Sequence, residues 1–402
     1  MVNRPRLAVV SPFLDKQHGT ERCVAEQVER LARDYEIHVY SNRVADLDPN
    51  CIFWHRVPAL PGPHLIAYCW WFLANHLWRW WDRRFRGLHF DLTYTPGINC
   101  LDADVISVHI VFAEFYRQVK EELSLRQSPL PSWPRLIHRR LYYKLIIGLE
   151  RVIYGRKEVL LTTVSRKTAE DLTRFGRFQT PIIYYGLSHE QFNPEKRRRL
   201  RDQSRRLLGL SGPSFCLLFV GNDWKKKGLL TLLEALGSIK PALVRLLVVG
   251  RDDPTPFQSV IRRNGIESCV DFLPLRCDVE FYYSATDVYV SPALEEAFGL
   301  PPLEAMACGL PAIVSRQAGV SEVITHGVDG LILEDPRDAG ALASMIGSLY
   351  EDAALRQRLG ENGARTALRY NWDRNAAELG ALFEQVIAKR SGQRALATKE
   401  IE

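Results

Sequence analysis

Two glutamates, Glu296 and Glu304, stand eight positions apart around Phe298-Gly299-Leu300. The paired Pro301-Pro302 that follows opens a helix, because a missing prolyl N–H costs least at the first helical position. Free N–H groups at such a helix start carry about half an elementary charge of positive dipole and suit an anion. Gly299 would let backbone approach a phosphate closely. Taken alone, the pair says little: Glu304 also reads as a first-turn acid that complements the dipole. A second cluster, Lys225-Lys226-Lys227-Gly228, occupies another strand-to-helix turn, where cations suit a diphosphate. A third candidate is His109, at the end of Val105-Ile106-Ser107-Val108. A histidine at the carboxyl end of a parallel strand points into the crevice where α/β proteins bind ligands.

These residues need strands and helices in alternation. Apolar runs at Leu7–Ser11, Ile37–Tyr40, Asp91–Tyr94, Val105–Val108, Val159–Ser165, Phe215–Gly221, Leu246–Val249, Val270–Leu273 and Val288–Val290 read as buried parallel strands. Between the first two, Val24, Val28 and Leu31 mark one face of a helix, completing a βαβ unit. The fold class is α/β. At 402 residues and 46.0 kDa the chain is long enough for two domains with separate cores.

The stretch Phe-Gly-Leu-Pro-Pro-Leu-Glu-Ala-Met-Ala-Cys-Gly-Leu-Pro, preceded by Glu296, resembles the signature of the retaining glycosyltransferases of family four, which have the GT-B fold. The resemblance implies two Rossmann-like domains facing across a deep cleft, with a C-terminal helix returning to the first. It gives Glu296 the hydroxyls of a donor sugar, Glu304 the nucleotide ribose, and the Phe298–Leu300 backbone the diphosphate. His109 would stand beside the donor sugar, and Gly19 would offer its amide to phosphate. Here His18 replaces the first glycine of the family's usual pair, and Ala297 another glycine. Adjacent Lys226 and Lys227 look like the variant of the lipopolysaccharide-core glucosyltransferases, with Asn222 where the family often has arginine. Arg251 and the loop 274–278 would flank the base. The expected boundaries are 1–190 for the acceptor domain, 191–212 for a linker, 213–371 for the donor domain, a helix over 372–390, and a polar tail over 391–402.

By this resemblance the chain is a metal-independent, retaining hexosyltransferase. It would move sugar from a nucleotide-sugar donor to a glycan or lipid-linked acceptor in cell-envelope synthesis, with no cofactor. Asp102-Ala103-Asp104 spells the D-x-D of metal-dependent sugar transferases, yet it reads as a loop, since a magnesium site would also need phosphate oxygens opposite. Other readings are an epimerase or hydrolase on the same fold, and a non-catalytic binding module.

The remaining features concern partners. A net charge of +6 is mildly basic, but no zinc-finger spacing or aromatic-basic signature points to nucleic acid. The eight cysteines lack a C-x-x-C pair and read as reduced residues of a cytoplasmic protein. The run from Met1 straight into the first strand reads as lacking a signal peptide. Residues 64–86 hold five of the nine tryptophans, followed by Arg83, Arg84 and Arg86. The run is short of the ~20 apolar residues a spanning helix needs. It reads either as a helix lying on an anionic bilayer or as one buried in the first domain. Residues 126–157 suit a helix with one core face and one cationic face, the latter toward solvent, lipid phosphate or a phosphorylated acceptor.

Overall fold

The computed structural model describes residues 4–16, 19–120, 133–210, 214–239 and 244–399. His18 and residues 126–132 lie outside the described residues. The chain divides into two compact units: residues 1–184 with 372–402, and residues 185–371.

The first unit opens with β1 (Arg6–Val10), β2 (Phe13–Leu14), α1 (Gly19–Leu31), β3 (Glu36–Ser41), β4 (Arg43–Val44) and β5 (Phe53–Arg56). It continues with α2 (His64–Phe85), β6 (Leu92–Pro96), β7 (Val105–Val108), α3 (Phe112–Val119), α4 (Trp133–Tyr154), β8 (Leu160–Thr163) and α5 (Arg166–Leu172). Its main sheet is parallel, in the order β5-β3-β1-β6-β7-β8. Its central strands β1, β6 and β7 are buried almost throughout and read as near-continuous apolar runs, while the edge strand β5 is largely exposed.

The second unit holds α6 (Pro194–Leu207), β9 (Phe215–Val220), α7 (Leu229–Ile239), β10 (Val244–Val249), α8 (Gln258–Asn264), β11 (Val270–Leu273) and α9 (Glu280–Ala285). After these come β12 (Val288–Ser291), α10 (Leu300–Ala307), β13 (Ala312–Ser315), β14 (Leu331–Leu333), α11 (Ala339–Glu351) and α12 (Ala353–Ala367). Its parallel sheet repeats the pattern as β11-β10-β9-β12-β13-β14. In each sheet the strand order reverses once, between β1 and β6 and between β9 and β12. Doubly wound sheets bind ligands outside the carboxyl ends of the strands at such a reversal.

The last helix, α13 (Trp372–Lys399), belongs to the first unit. It lays Ala376, Leu379 and Phe383 into the core cluster that includes Val24, Ala25 and Val28 of α1. The Arg30 guanidinium donates to Asp373 at 2.9 Å, and the Gln27 amide donates to Asn375 at 2.9 Å.

Three stretches differ from the sequence reading. The arginine-rich run at 191–212 contains α6, a helix packed on α9, where a connection was expected. Arg197, Arg201 and Arg205 recur every four residues and share one face. Their guanidinium groups donate to the carbonyls that end α9, those of Tyr283, Ser284, Ala285 and Thr286. The expected polar tail from 391 continues as α13 through Lys399, over residues that include Arg394, Ala395, Leu396 and Ala397, all good helix formers. The third, residues 64–86, holds the unbroken helix α2 (His64–Phe85), which is neither wholly buried nor wholly exposed. Trp71, Ala74, Asn75, Arg79 and Asp82 are buried, while Trp80 and Trp81 face solvent.

Candidate active site

In the second unit the loops that leave β9 and β12, at the strand-order reversal, carry most of the residues singled out above. The loop after β9 runs from Gly221 to Gly228, and glycine is required at both ends. Gly221 has φ +139°, and the aliphatic stem of Lys227 lies where a Cβ would project. Gly228 has φ +78°, and a Cβ there would collide with the carbonyl of Pro292, the first residue beyond β12. The Leu294 N–H donates to the Lys226 carbonyl at 2.8 Å, binding the two loops together. The loop after β10 joins them: the Arg251 N–H donates to Asn222 Oδ1 at 3.0 Å, and the Trp224 N–H donates to Asp252 Oδ2 at 2.6 Å. Arg251 itself is exposed.

Lys227 and Glu296 meet. The ammonium donates to Glu296 Oε2, and both side chains are only partly exposed. Glu296 is held from behind by a third loop. Its N–H donates to the Gln317 carbonyl at 3.3 Å, its carbonyl accepts from Gly319 at 3.0 Å, and the Val320 N–H donates to the Phe298 carbonyl at 2.8 Å. Phe298 is buried against Tyr185, ring centroids 5.3 Å apart. Gly299 then takes φ +97° as the cap residue of α10, with Pro301 and Pro302 in its first turn. A Cβ at Gly299 would stand 3.2 Å from Glu296 Cγ. The backbone before α10 is thus pinned by one loop and kept bare by its glycine.

Glu304 stands in the second turn of α10, not the first, because the helix opens at Leu300. It is buried and accepts the Tyr283 hydroxyl at 2.8 Å. Dipole complementation therefore does not account for it. Tyr283, at the end of α9, was not singled out from sequence. A tyrosine inside a short apolar helix is its one local signal, and its carboxylate partner lies 21 residues on.

In the first unit Gly19 is the first residue of α1, with no atom within 4 Å of where its Cβ would be. His109 follows β7 directly and is buried; that burial holds its imidazole down to about 4, so it is neutral at physiological pH. Close by, Glu150 of α4 accepts the N–H groups of Phe112 and Ala113 at 2.6 and 2.9 Å, capping α3. Burial raises this carboxyl to about 7 despite those bonds. The D-x-D acids serve structural pairs. Arg79 donates two bonds to Asp102, at 2.6 and 2.8 Å, and Arg390 of α13 donates to Asp104 at 2.7 Å. Among the described residues no group of three or more His, Cys, Asp or Glu is arranged to hold a metal ion.

Residues 201–366 match the family model described as glycosyl transferases group 1. The match spans most of the second unit and stops short of the first. The organising stretch, from Glu296 to Pro311, and the loop with Lys226 and Lys227 both fall inside the matched region. Among curated relatives, a D-inositol 3-phosphate glycosyltransferase of Corynebacterium kroppenstedtii is 32% identical over 220 residues, covering 52% of this chain and 48% of that one. The chain spans about half to three-fifths of the length of the curated relatives it matches. Among solved structures, WaaG, a glycosyltransferase involved in lipopolysaccharide biosynthesis, superposes with a TM-score of 0.76 at 22% identity, covering 94% of this chain and 99% of that one. Anabaena Alr3699/HepE, solved in complex with UDP-glucose, superposes with a TM-score of 0.65 at 20% identity, over 96% and 99%. These likenesses establish the GT-B fold.

Proposed function

We propose that this chain is a group 1 glycosyltransferase, retaining and metal-independent, working in the cytoplasm. It takes a nucleotide sugar on its second unit and passes the sugar to a glycan or lipid-linked acceptor of the cell envelope. The observation that carries the reading is the Lys227–Glu296 pair, set at the strand-order reversal beside the glycine-capped start of α10. A diphosphate arriving there would draw the Lys227 ammonium, leaving Glu296 to accept from sugar hydroxyls. As the bond between the anomeric carbon and the diphosphate breaks, negative charge grows on the leaving oxygens. Lys226, Lys227 and the N–H groups around Gly299 are preorganised to stabilise it. Buried, neutral His109 would serve the sugar as a hydrogen-bonding group, not as a charged one. Arg251, exposed after β10, would flank the base, and Glu304, fixed by Tyr283, would hold the ribose. The HepE complex makes UDP-glucose the first donor to try.

Titration calorimetry with a panel of nucleotide sugars, followed by turnover with and without acceptor glycans, tests this. Losing one preorganised donor to leaving-group charge costs about 100- to 1000-fold in rate. Lys227→Ala and Glu296→Ala should each lower transfer by that order, with the melting temperature little changed. Full turnover by both variants sinks the assignment. Acceptor-independent consumption of the donor would instead indicate a hydrolase or epimerase. Inversion at the anomeric carbon of the product would overturn retention, and loss of activity in EDTA would overturn metal independence.

A further inference from the structure

Two helices of the first unit turn apolar side chains toward solvent. Both α2 and α4 seat on one core cluster, through Trp71 and Ala74 from α2 and Ile146, Ile153 and Tyr154 from α4. They touch each other where Tyr68 meets Tyr142, ring centroids 5.8 Å apart, and where the Leu65 N–H donates to His138 Nε2 at 3.1 Å. Each helix therefore turns the side opposite that core to solvent. On α2 that outer face carries Leu73, Leu77, Trp80 and Trp81; on α4 it carries Ile137 and Leu141. All six are exposed, Trp80 by 59% and Trp81 by 53%. A surface helix ordinarily keeps its apolar stripe inward, and a contiguous outward stripe marks an interaction site.

The exposed charges that these two helices carry are of one sign. The only acids in the two helices are Asp82 and Glu150, and both are buried. Asp82 accepts the Tyr40 hydroxyl at 2.7 Å, and Glu150 accepts the backbone of α3. Arg83, Arg84, Arg135, Lys144 and Arg151 are exposed.

We propose that this two-helix face rests on an anionic lipid bilayer. Trp80 and Trp81 sit at headgroup depth, the leucines meet the upper acyl chains, and Arg83 and Arg84 lie against lipid phosphates. Three observations select that occupant. Among the described residues no helix is long and apolar enough to cross a membrane, so the face lies on the bilayer instead of entering it. A second copy would bring like charges together. A soluble polyanion would satisfy the arginines and leave the tryptophans and leucines in water.

The test is co-sedimentation of the full chain with phosphatidylcholine vesicles and with phosphatidylcholine–phosphatidylglycerol vesicles. The chain should pellet with the mixed vesicles, more weakly as salt rises, and stay in solution with the neutral ones. Each cation near an anionic leaflet contributes about fivefold in affinity, so Arg83→Gln with Arg84→Gln should weaken partitioning by about 25-fold. Trp80→Ala with Trp81→Ala should lower it as well, and should remove the quenching of tryptophan fluorescence by brominated lipid. Leu77→Gln is a milder second variant on the same stripe, and melting curves check that each variant keeps the fold. Equal recovery in both supernatants overturns the proposal. So does binding that the tryptophan change leaves intact and that heparin competes away, since that describes a polyanion site without a bilayer.

Discussion

Lys227 is placed by what surrounds it: Gly221 makes room for its stem, Gly228 closes its loop onto Pro292, and Glu296 takes its ammonium. Glu304 is fixed in another way, by a single tyrosine hydroxyl in a buried setting. Both residue types were legible in the sequence, because the family signature names the glutamates and the lysine pair sits at a strand-to-helix turn. Tyr283 and the Gln317–Val320 backing were harder to assign. Their contacts join segments far apart in sequence, which no local spacing encodes. His109 makes its own prediction. Burial depresses its folded-state pKa to about 4, against an ordinary value near 6.5. Between those values the unfolded chain binds about one more proton at this site, so its contribution is intact above about pH 6.5 and is lost as pH falls toward 4. Replacing His109 with Asn should flatten that part of the stability–pH curve, as urea midpoints across the window would show. An unchanged slope would mean that His109 is solvated and titrates normally.

The element that sequence reading handled least well was α6. A dense arginine run looks like a solvated connection, yet its four-residue spacing places three guanidinium groups on the buried carbonyls that end α9. Periodicity of charge was the available signal, and a reading weighted toward apolar periodicity passes over it. The central strands, by contrast, were plain because they are covered on both faces and are mostly apolar, whereas β5, with Phe53 and Trp54 exposed, was not read as a strand. Close helix packing in the second unit yields a further expectation. Gly360 of α12 lies against the Gly309 carbonyl, and a methyl group there would collide with it. Gly360→Ala should destabilise the unit by about 1–3 kcal/mol through overpacking. Gly347→Ala on α11, with no atom within 4 Å of the new Cβ, should be neutral or stabilise by up to about 1 kcal/mol. Denaturant midpoints of the two variants decide it, and equal losses would count against the packing argument.

At the scale of the molecule, the first unit is built from two ends of the chain with the second unit between them. Its return by α13 was readable in outline, since the Trp372-Asp373-Arg374 start resembles the family's crossing helix. The extension to Lys399 was not, because the residues from 391 onward read as a polar tail. Removing residues from 372 onward should strip Ala376, Leu379 and Phe383 from the α1 core and lower the first unit's melting transition, while the second unit's stays near its original temperature. Unaltered transitions for both would contradict the arrangement.

This interrupted layout bears on biosynthesis. A ribosome delivers the first 184 residues early, but the strip of α1 that α13 covers stays wet until nearly the whole polypeptide has emerged. The second unit, contiguous in sequence, is free to fold first. Its closure joins its own two ends, where the Leu187 N–H donates to the Tyr370 carbonyl at 3.3 Å. The nascent protein thus matures from the inside outward, and Val24 and Val28 are where a chaperone would find it unfinished.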